Sequence, residues 1–417
     1  MLSKLTLTNI EYWAFCLLMV AFFAPGNTIG FVLVTIVIIT IIKFVKKKHL
    51  FRGYGGLILF PILLCSLLLG MIYTSNTRDG WSIIERHYGL IGIPILMISI
   101  QQFSKQQRKN LLSVFIATGV VTGLICIGAA TWHYISTGTV YTATQKGHFV
   151  YNNFMHHRLS SPIQLHAIYY SLYLAFAAIV VLNRFLYEKL TLGSKLMYVS
   201  VFAFFCVLIL LLKSSIFALF FPLSCLLLLF FRFRKQLFSS LRAKIALVVI
   251  LVGTSIFSYK GVQSKLESFS LDYELSDEHL TPLNMRMAMW ECSWDVIKDS
   301  PWIGNGTGDG DNDLIRRYEQ LGFTIGAKDR YNAHNMYLQY WLTNGIFTSL
   351  IFIGILGLLF RRAIRNRNWV FLSFVLLFAA FSCTESTMLR QNGIVFFLVI
   401  SSLFYWFPKL WDESQEA

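Results

Sequence analysis

Apolar runs close to the thickness of a bilayer recur from one end of the chain to the other, and one long polar stretch interrupts them. A membrane-crossing helix needs roughly 20 apolar residues. Twelve runs approach that length, at 9–24, 28–45, 56–74, 87–101, 111–134, 162–182, 196–212, 215–231, 245–259, 336–360, 368–384 and 393–408. They predict an all-α integral membrane protein of about twelve transmembrane helices, forming one polytopic domain over residues 1–417. Two excursions leave the bilayer: a smaller one at 136–161, and a larger one at 260–335, between the ninth and tenth helices. Loops longer than about 12–15 residues are usually functional or disordered. The larger excursion holds too many Trp, Tyr and Leu for disorder, so the chemistry is expected there.

Lysine and arginine in the short loops set the orientation. Lys43, Lys46, Lys47, Lys48 and Arg52 follow the second run, and Lys105, Arg108 and Lys109 the fourth. Arg184, Lys189 and Lys195 follow the sixth, and Arg232, Arg234, Lys235, Arg242 and Lys244 the eighth. Arg361, Arg362, Arg365 and Arg367 follow the tenth. With twelve helices, all five clusters share one side. That side is the cytoplasm, both termini lie in it, and the two excursions face outward. The net charge of +15 is therefore mostly a membrane-orientation signal and not a nucleic-acid one. The larger excursion, with thirteen acidic and eight basic residues, is itself net acidic. Of seven cysteines only Cys292 lies in it, so no loop disulfide is expected. The first apolar run lacks a small-residue cleavage site and reads as a retained helix.

Inside the larger excursion, Thr281-Pro282 predicts a helix start. Leu283, Met287, Trp290, Trp294 and Ile297 then recur at spacings of 4, 3, 4 and 3, a single apolar stripe with Arg286 at its edge. Pro301 ends that helix, Gly304–Gly308 forms a turn, and a second helix is expected over 312–321. Asn332 is placed to cap the helix of the tenth run, on which His334, Tyr337, Leu338 and Trp341 would share a face. A guanidinium such as that of Arg286 binds phosphate through two parallel hydrogen bonds. A mostly neutral imidazole such as that of His334 can take a proton from a hydroxyl. Gly304–Gly308 lacks the Lys of a phosphate-binding loop. The run from Asp309 has Leu314 and Gln320 where a calcium loop needs Gly and Glu. His156 and His157 are sequence neighbours with no carboxylate nearby, so no metal site is expected. Arg86, Arg158, Lys213, Glu385 and Arg390 stand at the outer ends of helices as a charged mouth, in which Glu385 is the one acid, suited to orient an arginine or the histidine.

Arg286 with Trp290, then Pro301-Trp302-Ile303-Gly304-Asn305-Gly306, then Ala333-His334-Asn335-Met336-Tyr337 and Gly345 form an ordered series. This series resembles the signature of the O-antigen ligase and O-antigen polymerase superfamily, in detail over residues 284–347. The resemblance implies a bacterial inner-membrane glycosyltransferase that works at the periplasmic face on an undecaprenyl-pyrophosphate-linked glycan. Arg286 would hold the pyrophosphate and His334 would activate the acceptor hydroxyl, with no cofactor and no metal. Many members carry Ser-Arg where this chain reads Leu212-Lys213-Ser214-Ser215-Ile216. The second phosphate contact therefore falls to Lys213 or Arg158. Trp290, Trp294 and Tyr337 would offer surfaces to sugar or polyprenyl, with Arg86 and Glu385 completing the substrate-binding set. The acceptor expected is the lipid A core, as in O-antigen ligation; a second lipid-linked repeat, as in a polymerase, or a protein hydroxyl are the alternatives. A transporter or lipid flippase is the competing class. Transporters place their sites on broken helices in repeated halves, and the sequence shows no internal repeat.

Overall fold

A computed structural model describes residues 6–46, 55–143, 150–239, 275 and 281–410. The run at 245–259, together with Lys47, Lys48, Arg52, Arg242 and Lys244, lies outside the described residues. The described chain is helical throughout, apart from one hairpin in the smaller excursion. There β1 (Tyr141–Ala143) pairs antiparallel with β2 (Val150–Asn152). The apolar helices are α1 (Leu7–Ala21), α2 (Thr28–Lys46), α3 (Leu59–Gly70), α4 (Thr77–His87) running into α5 (Gly89–Ile98), α6 (Lys105–Thr137), α8 (Ala167–Tyr187), α9 (Leu192–Leu211), α10 (Ser215–Ser239), α14 (Met336–Arg365), α15 (Trp369–Ser382) and α16 (Gln391–Trp406). Short α7 (His156–Ser160) precedes α8, and the larger excursion forms α11 (Pro282–Asp299), α12 (Gly310–Gln320) and α13 (Thr324–Lys328). Among the described residues, six stretches are long and apolar enough to cross a membrane: Thr77–Gln102, Lys105–Thr137, Ala167–Tyr187, Leu192–Leu211, Ser215–Arg234 and Met336–Arg365. The chain is an integral membrane protein.

Local chemistry explains several helix bounds. Ser104 and Gln107 form a reciprocal capping box at the start of α6, and Gly138, with φ 70°, ends it in a left-handed turn. The Thr281 side chain accepts from the Asn284 amide, and Pro282 occupies the first turn of α11, as the sequence predicts. The fourth span begins earlier than its apolar run, at Thr77. Asn76 caps that start, and the first turns carry charge, which hides them from a hydropathy reading. The helix of the tenth run is capped by Asn335, whose side chain accepts from Tyr337 and Leu338 amides, and not by Asn332. Helix α8 is the central one, with 83% of its apolar window buried, against 17% for α9 and 22% for the Ser215–Arg234 part of α10. Around it, Phe22 meets Phe115, Tyr173 and Phe396 edge-on, while Phe115 stacks on Phe396 at 5.7 Å, arrangements that aromatic quadrupoles favour.

The basic clusters gather at one end of the bundle. Arg108 lies over the Phe407 ring and Arg362 over Tyr405, both where α16 ends. Arg184 donates to the Lys109 carbonyl, and Arg232 to that of Leu186. Lys43 departs from the loop role the sequence suggests: it is buried in an ion pair with Glu11, which also accepts from Thr40.

The larger excursion has a small core of its own, from Ala288, Met289, Cys292 and Val296 to Leu314, Tyr318, Phe323 and Leu342. The turn after α11 plugs into a break in α14. At Gly345 the backbone leaves helical geometry, with φ 79° and ψ 175°. The Ile346 amide there donates to the Pro301 carbonyl, while the Leu342 and Thr343 carbonyls accept from Asn305 and Gly306. Thr307 donates to Leu67 and accepts from Asn344. Asp309 accepts from Thr74, Ser75 and Asn76, so its carboxylate is taken up by the linker between α3 and α4. A Cβ on Gly345 would overlap the Trp302 carbonyl, whereas Gly357, on the same helix, has open space around it. Positive φ alone costs an L-residue about 1–3 kcal/mol. Gly345→Ala is therefore expected to lower the melting temperature in detergent clearly, and Gly357→Ala to leave it unchanged or raise it. Equal melting of the two variants would refute this docking.

Candidate active site

The turn that plugs into α14 brings the segment Tyr331–Asn335 against the connection between α15 and α16. The Asn332 side chain accepts from the His334 amide at 2.9 Å and from Ser386 Oγ at 2.9 Å, tying the two segments together. Gln339 reinforces the first of them, accepting from the Ala333 amide at 3.0 Å and donating to Asp311 at 2.7 Å. Burial pushes the Asp311 carboxyl up from its ordinary value, opposed by that bond from Gln339. His334 itself is left-handed, with φ 43°, and stands before α14 and not on it. It shares no helical face with Tyr337, contrary to the sequence expectation. Tyr337 turns into the bundle, donates to the Ala379 carbonyl and packs on Phe352.

His334 Nδ1 lies 3.4 Å from Glu385 Oε2. Burial raises the Glu385 carboxyl, but the bond to His334 and the positive field of His334, His166 and Arg390 outweigh it, and the carboxyl titrates below its usual range. A carboxylate facing Nδ1 holds the proton there and leaves Nε2 as the basic nitrogen, the orienting role that an acid plays beside a general-base histidine.

Beside this pair opens a cavity of about 390 Å³. Arg286, Trp290 and Leu283 of α11 line it on one side, Ile168 of α8 and Lys213, Ile216 and Leu219 at the start of α10 on another, with His156 and Thr384. Thr384 is the chain neighbour of Glu385, whose charge acts on Arg286. Burial lowers the Arg286 pKa and Glu385 opposes that shift. Arg286 Nε and Trp290 Nε1 are buried and have no hydrogen-bond partner among the described residues. Buried donors without partners are rare, and these two belong to residues that line the cavity.

The structure thus brings Arg286, Lys213 and Trp290 together and sets His334 with Glu385 next to them. Other residues singled out from sequence lie elsewhere. Trp294 is exposed and meets Trp341 edge-on at 5.3 Å. Of the expected stripe, Ile297 alone is fully buried. Ala288, Cys292 and Val296 are buried instead, because these smaller side chains fit against α12 and Leu342. Arg86 donates to the Ser82 and Leu389 carbonyls, bracing the connection that carries Glu385. Arg158 sits on α7 outside the cavity lining. Among the described residues no cluster of His, Cys, Asp or Glu has metal-binding geometry.

Sequence reasoning missed a histidine ladder. The rings of His156 and His157 lie 4.1 Å apart, and those of His157 and His166 4.2 Å apart. The density of histidine near Ser136–Ser161 was the available signal, but His166 joins only because the chain folds back, with the Ala167 amide donating to His157 Nδ1 at 3.4 Å. Burial, with the charges of neighbouring histidines and Arg390, pushes His157 and His166 down to about 4. In the unfolded chain they titrate near 6.5. The native state is therefore neutral where the unfolded state binds protons, so the ladder contributes stability above pH ~6.5 that is lost as pH falls toward ~4. Glu385 acts below its ordinary range, outside this window. The melting temperature should drop between pH 7 and 5, and the double variant His157→Phe/His166→Phe should flatten that drop. An unchanged pH dependence would count against the assignment.

Comparison with curated proteins finds no match. The family described as O-antigen ligase matches residues 198–353, a segment that contains Lys213, Arg286, Trp290, His334 and Gly345. Over that segment the chain is similar to the O-antigen ligase family, which supports an O-antigen ligase- or polymerase-like membrane glycosyltransferase.

Proposed function

We propose that the protein transfers a glycan from undecaprenyl pyrophosphate to a hydroxyl of the lipid A core, at the periplasmic face of the bacterial inner membrane. The observation that carries this reading is the convergence of Arg286 and Lys213 on a largely apolar cavity beside the His334–Glu385 pair. An anionic headgroup on a long isoprenoid calls for that combination of cations and apolar wall. In the reaction the bond from the anomeric carbon to pyrophosphate breaks and the leaving oxygen takes the electron pair. The acceptor oxygen bonds to that carbon, and its proton passes to His334 Nε2. Arg286 and Lys213 stabilise the charge that grows on the leaving group, while Glu385 stabilises the imidazolium. The basic clusters gathered at the opposite end of the bundle support an outward-facing site with both termini in the cytoplasm.

General-base assistance is typically worth about 10²–10⁴-fold, so His334→Ala should reduce transfer by a factor of that order. Arg286→Ala should abolish it, and both variants should reach the membrane at the wild-type level. Full activity in either one refutes the assignment. The acceptor is read from a deletion strain. Loss of all long glycan from lipid A, with lipid-linked polymer accumulating, supports ligation to the core. A single repeat left on the core indicates polymerisation instead, and intact lipid A glycan with unglycosylated protein indicates a protein acceptor.

A further inference from the structure

We infer that His156 is a third anion-binding residue of the cavity and donates a hydrogen bond to the diphosphate of the donor lipid. The inference rests on the reading above and names a residue that neither the sequence motifs nor the matched segment includes. Three observations carry it.

His156 lines the cavity with Arg286 and Lys213, yet it comes from a different part of the chain, as the first residue of α7. Among the described lining residues there is no carboxylate. The nitrogen-bearing side chains are Arg286, Lys213, Trp290 and His156, all of types that carry an N–H donor. Such a lining selects for an anion.

Backbone strain also points to this place. Six non-glycine residues among those described have positive φ, and His156 at 52°, Lys213 at 51° and His334 at 43° are three of them. Left-handed backbone at residues of these types persists where surrounding structure over-determines it, and such strain concentrates at binding and catalytic sites. Of the six, His156 and Lys213 line the cavity and His334 stands beside it, while Gln164, Arg330 and Arg367 lie outside its lining.

The ladder supplies the support. His156 stacks edge-on against His157, at an interplanar angle of 87°, and His157 against His166 at 73°. With His157 fixed by the Ala167 amide, the ladder restricts the ring of His156 before any ligand arrives. A diphosphate spans two phosphoryl groups, so the forked Arg286, the point charge of Lys213 and an imidazole N–H on a separate element can engage it together without competing for one oxygen.

The test uses the purified full-length protein in lipid nanodiscs and measures binding of undecaprenyl pyrophosphate and of undecaprenol, which lacks the diphosphate. His156→Phe should weaken binding of the pyrophosphate by about tenfold or more, the scale of one charge-assisted hydrogen bond, and leave undecaprenol binding unchanged. His156→Gln, which keeps an N–H donor, should recover most of the loss. Wild-type affinity of His156→Phe for the pyrophosphate overturns the inference, as does an equal loss for both lipids. The readout does not depend on turnover. If the wild-type protein transfers no glycan but the selective binding loss is seen, the reaction is wrong and His156 stands. If transfer is seen and binding is unaffected, the reverse holds.

Discussion

The exchange of hydrogen bonds at the Gly345 break holds the rest of the site in place. A continuous helix would satisfy its own carbonyls. The break hands those of Leu342 and Thr343 to the amides of Asn305 and Gly306, and gives the Ile346 amide to Pro301. A polar excursion is thereby stitched into a helix of the bundle by backbone bonds, which side-chain substitution elsewhere leaves intact. Thr307, Asn344 and Asp309 extend the seam to α3 and α4. With the excursion anchored there, α11 is held with Arg286 over the cavity, and the segment before α14 delivers His334 to Glu385.

The electrostatics follow from that placement. At the basic end of the bundle, arginines are absorbed by carbonyls and aromatic faces. At the other end, cations line a cavity without a carboxylate among the described lining residues, and Glu385 beside it faces a histidine. A buried acid held ionised by positive neighbours can orient an imidazole and take up its charge, which is what a proton-accepting step demands. The Arg286 guanidinium sits within the influence of Glu385 without an ion pair among the described residues, so its charge stays available to a ligand.

The histidine ladder belongs to the same design. The edge-on rings of His157 and His166 brace α7 before α8 so that His156 is held on the cavity wall, and the suppressed protonation of those two keeps the wall intact near neutral pH.

Much of this was legible from local pattern alone. Hydropathy located the apolar helices, the Thr281-Pro282 pair marked the start of α11, and the glycine-rich run was recognisable as a turn, because caps, proline and left-handed glycine act within a few residues. The series from Arg286 to His334 carried the resemblance to the O-antigen ligase family for the same reason: its members lie close in sequence. Other features needed the folded chain. Periodicity says that α11 has two faces but not which one has a partner, and the small residues Ala288, Cys292 and Val296 won that place over the tryptophans. Nothing local announces that Lys43 reaches Glu11, that Tyr337 turns into the bundle, or that His166 closes a ladder with His156. Glu385 showed itself in sequence as an acid at a helix end, but its bond to His334 depends on a seam built from Pro301, Asn305, Gly306 and Gly345. Sequence alone determined which elements form and which chemistry they carry. The tertiary structure decided which of those groups meet, since contacts between distant segments depend on packing and backbone exchange that no short window of residues encodes.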